Sequence, residues 1–222
     1  MKRLIILALL FLAVLSGVSV AAAPKSRTIS VKSPDGQTEV MVTVAGDIRY
    51  DVISHGEKLM SANKVALQLG DRVLGEAPSI RSSRITSVRE TVRPDFKLKF
   101  AEVENNYNLL TLAFKGDYKI LWRVYDDGMA YRFVTEIPGG IDVVSETAEF
   151  NMVGSETITG QIPGGFKTSC EEVYSVRNTS GLDAGRMWEI PFLATYPEQK
   201  VLVSEFDLED YPAMFVKPCG DK

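Results

Sequence analysis

The sequence is poor in histidine and cysteine: among its 222 residues, one is histidine and two are cysteine. Ser-His-Asp and Cys-His nucleophile systems use a histidine base, but His55 lies in a predicted polar turn. Zinc sites use about three or four protein ligands, which His55, Cys170 and Cys219 are poorly placed to supply. The composition therefore disfavours both kinds of site. It leaves open whether Cys170 and Cys219 are bridged.

The sequence also lacks an excess of positive charge, since its net charge is −4 with both signs interspersed. This argues against a nucleic-acid partner, which needs a basic face. No glycine loop of the Walker or Rossmann type is present. After residue 24, no apolar segment is long enough to cross a membrane.

The first residues have the order of a secretory signal peptide. Lys2 and Arg3 precede an apolar run over residues 4–20, which ends at three alanines over residues 21–23. This order predicts a signal peptide over residues 1–22, cleaved near Ala22, and a mature chain exported to the periplasm. A membrane anchor is the alternative, which the alanine cluster disfavours. Residues 23–222 are expected to form one domain.

Residues 119–133 consist of two alternating runs joined by Asp126-Asp127-Gly128. Ile120, Trp122 and Val124 share one face of the first arm, and the second arm carries a matching apolar face. A period of two places alternate side chains on opposite faces of a sheet. Asp127-Gly128 between the arms suggests a tight turn with positive φ angles. The stretch predicts a central antiparallel hairpin.

Most other segments are short alternating runs between turns. No part of the mature sequence has a helix-length apolar stripe at 3.6-residue spacing. The pattern predicts an all-β fold, a large antiparallel β-sandwich with a dozen or more strands. Residues 80–92 are expected to form a strand with one solvated face. Further predicted strands cover residues 28–33, 38–44, 48–53, 65–69, 96–103, 107–114, 141–150, 188–196 and 200–206.

Two groups of residues are candidates for a site. If the strand from Val201 continues, Glu205, Asp207 and Glu209 project from one face, while Phe206 and Leu208 lie on the other. Carboxylates so arranged suit a hard cation such as calcium; a solvated sheet edge is the alternative.

The second group is aromatic. Trp188, Tyr174 and Tyr196 are candidates for stacking on a sugar ring, as carbohydrate-binding residues, and core packing is the alternative for each.

Five stretches together resemble the N-terminal domain of glycoside hydrolase family 97, a family of exported bacterial α-glucosidases and α-galactosidases. The resemblance extends from Ile29 to Val216. The matching stretches are SPDG at residues 33–36, NYNLLTL at 106–112, WRVYDDGMAYRF at 122–133, TAEF at 147–150 and VSEFDLEDYPAM at 203–214.

The resemblance implies a galactose mutarotase-like super-sandwich that packs on a catalytic (β/α)₈ barrel. It implies that an acidic residue of the sandwich, which Glu205 matches by position, reaches a calcium ion in the barrel's active site. The implied substrate is an α-glucan or α-galactoside. The sequence departs from the family pattern over residues 167–186, and relatives continue for some hundreds of residues.

The leading hypothesis is a non-catalytic N-terminal domain of an α-glycosidase, present as a truncated or split product and inactive alone. One alternative is a stand-alone periplasmic carbohydrate-binding protein. Another is a subunit that docks on a separately encoded barrel. If a barrel covers this domain, we expect exposed apolar residues around Glu205.

Overall fold

The described part of the chain consists of β-strands and their connections. The computed structural model describes residues 26–96 and 99–219. The predicted signal peptide at residues 1–22 lies outside the described residues. Within them, one short 3₁₀ turn covers Thr179–Gly181. No helix in these residues has the length and apolarity to cross a membrane.

Sixteen strands are formed by the described residues. The first eight are β1 (Arg27–Lys32), β2 (Thr38–Val44), β3 (Ile48–Ser54), β4 (Glu57–Leu69), β5 (Val73–Leu74), β6 (Ile80–Val92), β7 (Val103–Phe114) and β8 (Tyr118–Tyr125). The others are β9 (Gly128–Thr135), β10 (Val143–Ala148), β11 (Thr157–Gly160), β12 (Ser175–Asn178), β13 (Trp188–Glu189), β14 (Phe192–Thr195), β15 (Lys200–Val203) and β16 (Phe215–Val216).

Two antiparallel sheets form the sandwich. The first has the order β1-β2-β3-β4-β10, with β5 on β4, and the second has the order β6-β7-β8-β9. Their alternating side chains meet in one core, where the Trp122 ring lies 5.1 Å from that of Tyr50 and 5.0 Å from that of Tyr131. The predicted all-β antiparallel sandwich is confirmed.

The predicted central hairpin is also confirmed, since β8 and β9 pair over their full length. Ile120, Trp122 and Val124 are fully buried. The turn, however, differs from the prediction. Tyr125 pairs with Gly128, so the turn residues are Asp126 and Asp127, and neither they nor Gly128 has a positive φ. Gly128 is already a strand residue.

The turn at Asp126 contacts a second turn. Oδ1 of Asp126 accepts a 2.9 Å hydrogen bond from the backbone N–H of Asp35, which lies between β1 and β2. Because β1 and β8 belong to different sheets, this bond joins the two layers of the sandwich at one end.

A third sheet, with the order β12-β11-β14-β15, extends the core. Ile158 and Ala194 are paired and buried on its inner face. On its outer face, register places four side chains in one row across the sheet. We call this the outer row; it consists of Val176, Thr159, Leu193 and Leu202. β13 and β16 form a separate two-stranded ladder.

Two strand predictions in the second sheet were partly wrong. Residues 96–103 were predicted as a strand, but β7 begins at Val103, and Phe96 and Phe100 are exposed in the connection between β6 and β7. The pairing of β7 with β8 begins at Asn108, so the hairpin of β6 and β7 extends beyond β8. No layer among the described residues covers Phe96 or Phe100. Contrary to the prediction of one solvated face, β6 is exposed on both faces along most of its length.

The cysteines are not bridged. Cys170 and Cys219 are both exposed free thiols.

Candidate functional site

Glu205 lies in a segment that is no longer a strand. β15 ends at Val203, and Asp207 and Glu209 adopt φ angles of 60° and 38°. Left-handed residues break the two-residue alternation of a strand. The predicted arrangement of Glu205, Asp207 and Glu209 on one strand face is therefore wrong, and Phe206 is 85% exposed instead of lying on an inner face.

Glu205 itself is half-buried, and its side chain forms a hydrogen bond within the segment that follows β15. Its Oε1 accepts a 2.8 Å hydrogen bond from the backbone N–H of Met214. The same segment is tied to β9 by an exposed ion pair between Arg132 and Asp207, with 3.4 Å between the charged atoms. The contacts bring Glu205 to the edge of the sandwich beside β10.

Glu146 on β10 is the neighbouring carboxylate. Its Oε2 accepts a 2.9 Å hydrogen bond from the Tyr211 hydroxyl. Burial raises the pKa of Glu146, the hydrogen bond from Tyr211 opposes this, and the charge of Glu205 adds to the increase. Burial and the bond to Glu146 raise the pKa of Tyr211. We call Glu146, Glu205 and Tyr211 the carboxylate cluster.

The carboxylate cluster supplies only some of the ligands that a metal ion requires. Among the described residues, no group of three or more His, Cys, Asp or Glu side chains is arranged to hold an ion. Calcium takes about six to eight oxygen ligands. Carboxylates are the right donors, so Glu205 fits as one ligand of a calcium ion, but most of the other ligands would come from elsewhere.

The aromatic candidates do not form a sugar platform. Trp188 and Tyr196 are 3% and 2% exposed. The Tyr196 hydroxyl donates to the carbonyl of Leu59, and burial followed by the charge of Glu57 raises the pKa of Tyr196 to about 12. Stacking on a sugar needs an open ring face, and core packing leaves neither ring with one. Tyr174 is the exposed member of the three.

Sequence reasoning missed Glu189. It is 4% exposed, and neither carboxylate oxygen has a hydrogen-bond partner. The side chain faces the thiol of Cys170, whose pKa is raised. The hydrogen bond with Glu189 is the largest cause, burial of the thiol is the second and the charge of Glu189 is the third. A thiol is a weak hydrogen-bond donor, and this contact lies outside ordinary hydrogen-bond geometry. The contact with Cys170 therefore offsets little of the free-energy cost of burying the Glu189 carboxylate. Nothing in the alternation of residues 188–196 distinguishes this position.

Exposed apolar side chains lie close to Glu205 in the sequence, together with the exposed acidic residues Asp207, Glu209 and Asp210. In the outer row, Val176 is 58% exposed and Leu202 is 64% exposed. Leu202 lies at the end of β15 that leads directly to Glu205 and Phe206. We call the outer row and Phe206, which follows β15 four residues after Leu202, the apolar face.

Comparison with known proteins connects these features to one family. A retaining α-galactosidase of Bacteroides thetaiotaomicron is 30% identical over 227 residues, which cover 97% of this chain and 33% of the relative. The chain thus spans about a third of the length of this relative.

Solved structures share the fold. A glycoside hydrolase family 97 enzyme from Pseudoalteromonas sp. strain K8, in complex with panose, has a TM-score of 0.75 at 18% identity, over 86% of this chain and 30% of that one. A β-arabinopyranosidase has a TM-score of 0.68 at 21% identity, over 79% and 31% of the two chains.

Family membership rests on a match over most of the sequence. Residues 31–222 match the family described as glycosyl-hydrolase 97 N-terminal. The region includes the central hairpin, the carboxylate cluster and the apolar face. The chain belongs to the glycoside hydrolase family 97 N-terminal domain family.

Proposed function

We propose that this chain serves as the non-catalytic N-terminal β-sandwich of an α-glycosidase, and that its apolar face docks on a catalytic (β/α)₈ barrel domain or subunit. The observation that carries the proposal is the apolar face beside the carboxylate cluster. Leu202 and Phe206 are largely exposed at the point where Glu205 is held. An exposed apolar surface next to ionisable groups is typical of an interface that also completes a site.

The two carboxylates of the cluster are poorly suited to catalysis by themselves. Glycosidases place an acid and a base or nucleophile on opposite sides of the scissile bond. Here the charge of Glu205 acts directly on Glu146. In addition, Oε1 of Glu205 and Oε2 of Glu146 accept hydrogen bonds from Met214 and Tyr211. These groups support the segment after β15 rather than flank a substrate.

Glu205 would contribute one oxygen ligand to a calcium ion, the others coming from the barrel. Oε2 is the oxygen left over by the bond to Met214. A bound calcium ion supplies positive charge that stabilises developing negative charge on oxygen. The role of the sandwich is to hold Glu205 in place, through Met214 and through the Arg132–Asp207 ion pair.

The substrate class follows from the family, as an α-glucan or an α-galactoside. The signal-peptide pattern at residues 1–22 supports export to the periplasm.

A direct assay tests the non-catalytic role. The mature chain, residues 23–222, is purified and incubated with aryl α-glucosides and aryl α-galactosides in the presence of calcium. We expect no hydrolysis above the buffer rate. Robust turnover that survives Glu205→Gln and Glu146→Gln would overturn the proposal.

The alternative role, a stand-alone carbohydrate-binding module, needs an open aromatic platform. Because Trp188 and Tyr196 are buried, we expect calorimetric titration of the mature chain with malto-oligosaccharides to show no binding. Binding that is abolished by Trp188→Ala in a variant that remains folded would favour the module instead.

A further inference from the structure

The outer edge of β6 is the longest free strand edge in the described residues. β6 has 13 residues and pairs with β7 alone, so its other edge is unpaired. The other strands that end a sheet have two to eight residues. A free edge exposes backbone N–H and C=O groups that can pair with another strand.

This edge is regular and accessible. Pairing with β7 shifts register only between Ile80 and Ser82, and from Ser82 to Val92 it is continuous. Nearly every residue of β6 is exposed, on both faces. The edge therefore presents eleven regular residues, 82–92. Among the described residues, Arg27 of β1 contacts this stretch from the other sheet through an exposed 3.3 Å hydrogen bond to the Ser83 hydroxyl.

The side chains of β6 restrict how it can pair with a second copy of itself. In an antiparallel pair about a twofold axis, the residue on the axis faces its own copy. An axis at Ser87 places Arg84 of each chain opposite Glu90 of the other. An axis at Ile85 places Arg81 opposite Arg89, so like charges meet twice. An axis at Ser87 brings Arg81 opposite Arg93, but both of these residues lie outside the regular part of the edge, residues 82–92. Axes at Thr86 or Val88 pair no charged residues with each other.

The Ser87 axis also forms two suitable pairs on either side of the axis, while Arg89 faces Ile85 and Val92 faces Ser82. Val88 faces Thr86, which is a pair of β-branched residues, and Ser83 faces Thr91. Arg84 is exposed and has no ion pair or hydrogen bond among the described residues, whereas Arg89 is held by the carbonyls of Val88 and Tyr107. The arginines along the edge disfavour unrelated strands and other registers.

We propose that two copies of this chain form a symmetric dimer through antiparallel pairing of β6 with β6, with the twofold axis at Ser87. The two four-stranded sheets then become one eight-stranded sheet. The interface is isologous, as in most homodimers. The apolar face belongs to a different sheet, so this dimer is independent of the proposed docking on a barrel.

Charge reversal tests the proposal by sedimentation velocity of the mature chain. Wild type is expected to dimerise with rising concentration. Glu90→Arg and Arg84→Glu each place like charges together twice and should raise the dimer dissociation constant by about tenfold or more. The double variant R84E/E90R restores both pairs and should dimerise like wild type. A mixture of the two single variants should form a heterodimer.

The control is Glu198→Arg, which makes the same charge change at an exposed position between β14 and β15, outside the sheet that contains β6. It should leave dimerisation unchanged. A wild-type chain that stays monomeric up to its highest soluble concentration would overturn the proposal. Equal dimerisation of wild type and Glu90→Arg would also overturn it.

Cross-linking tests the register separately. With Cys170→Ser and Cys219→Ser as the background, oxidation of the Ser87→Cys variant should give a disulfide-linked dimer, since only the axis residue faces itself. Faster cross-linking of Thr86→Cys or Val88→Cys would contradict the axis at Ser87.

Discussion

The Tyr211 hydroxyl donates a 2.9 Å hydrogen bond to Oε2 of Glu146. These residues are 65 positions apart in the sequence, and the bond joins the segment after β15 to β10 of the first sheet. It keeps a half-buried carboxylate next to Glu205. The arrangement places negative charge at the edge of the sandwich, and it has a measurable dependence on pH.

Replacing Glu146 with Gln should stabilise the protein at neutral pH. Burial and the charge of Glu205 raise the pKa of Glu146 above its ordinary value of 4.5, so the folded state binds the proton more tightly than the unfolded state. That stabilisation is complete below pH 4.5 and is lost as the pH rises through the folded pKa. Glutamine stays neutral and still accepts from Tyr211.

Urea unfolding at pH 7 and pH 4 measures this effect. After solvent screening we expect Glu146→Gln to gain roughly 0.5 kcal/mol at pH 7 and nothing at pH 4. The exposed carboxylate variant Glu104→Gln is the control. A loss of stability at both pH values would contradict burial of the Glu146 charge as the cause.

Replacing Glu189 should also stabilise the isolated chain. Its carboxylate is buried with no hydrogen-bond partner for either oxygen. A buried, uncompensated carboxylate is destabilising, and an apolar residue of similar size removes that cost. We expect Glu189→Met to raise the free energy of unfolding by about 1–3 kcal/mol, measured in urea. Glu198→Met, at an exposed position, should change it little; an equal gain there would contradict the role of burial.

The thiol of Cys170 should become more reactive when Glu189 loses its charge. The Glu189 side chain is the largest cause of the raised pKa of Cys170. In Glu189→Gln the pKa of the thiol should fall, so more thiolate is present at pH 8. The rate with a chromogenic disulfide reagent should increase in a Cys219→Ser background. An unchanged or lower rate would show that the carboxylate does not act on this thiol.

The turn contact of Asp126 offers a paired comparison. Asp126→Ala removes the acceptor for the backbone N–H of Asp35 and should lower the free energy of unfolding by about 0.5–1 kcal/mol. Asp127 lies in the same turn, and no hydrogen bond of its side chain is present among the described residues. Asp127→Ala should therefore be close to neutral, and equal losses for the two variants would count against the contact.

Alternation predicted the sandwich because burial acts on every second residue. Trp122 and its neighbours on β8 face the core, and the sequence alone places them there. The same logic failed at Phe96 and Phe100, since alternation indicates a strand only where another layer covers one face. It also failed at Asp207 and Glu209, whose left-handed backbone ends the alternation.

The candidate site was predictable only in part. Glu205 stood out because several carboxylates follow one strand. Its partners Glu146 and Tyr211 come from distant parts of the sequence, and no local pattern joins them. Glu189 was missed because a glutamate in a strand is ordinarily solvated, and its burial depends on the segment around Cys170. The surroundings of Glu146, Tyr211 and Glu189 are determined by packing between segments far apart in the sequence, which no local sequence pattern indicates.

Calorimetric titration with a catalytic barrel measures whether the apolar face docks as proposed. The mature chain is titrated with a family 97 (β/α)₈ barrel produced as a separate polypeptide. Wild type and the control Val153→Glu, an exposed apolar position outside the apolar face, should bind alike. Leu202→Glu should weaken binding by about tenfold or more. The absence of any complex, or binding of Leu202→Glu equal to that of wild type, would contradict the proposed docking.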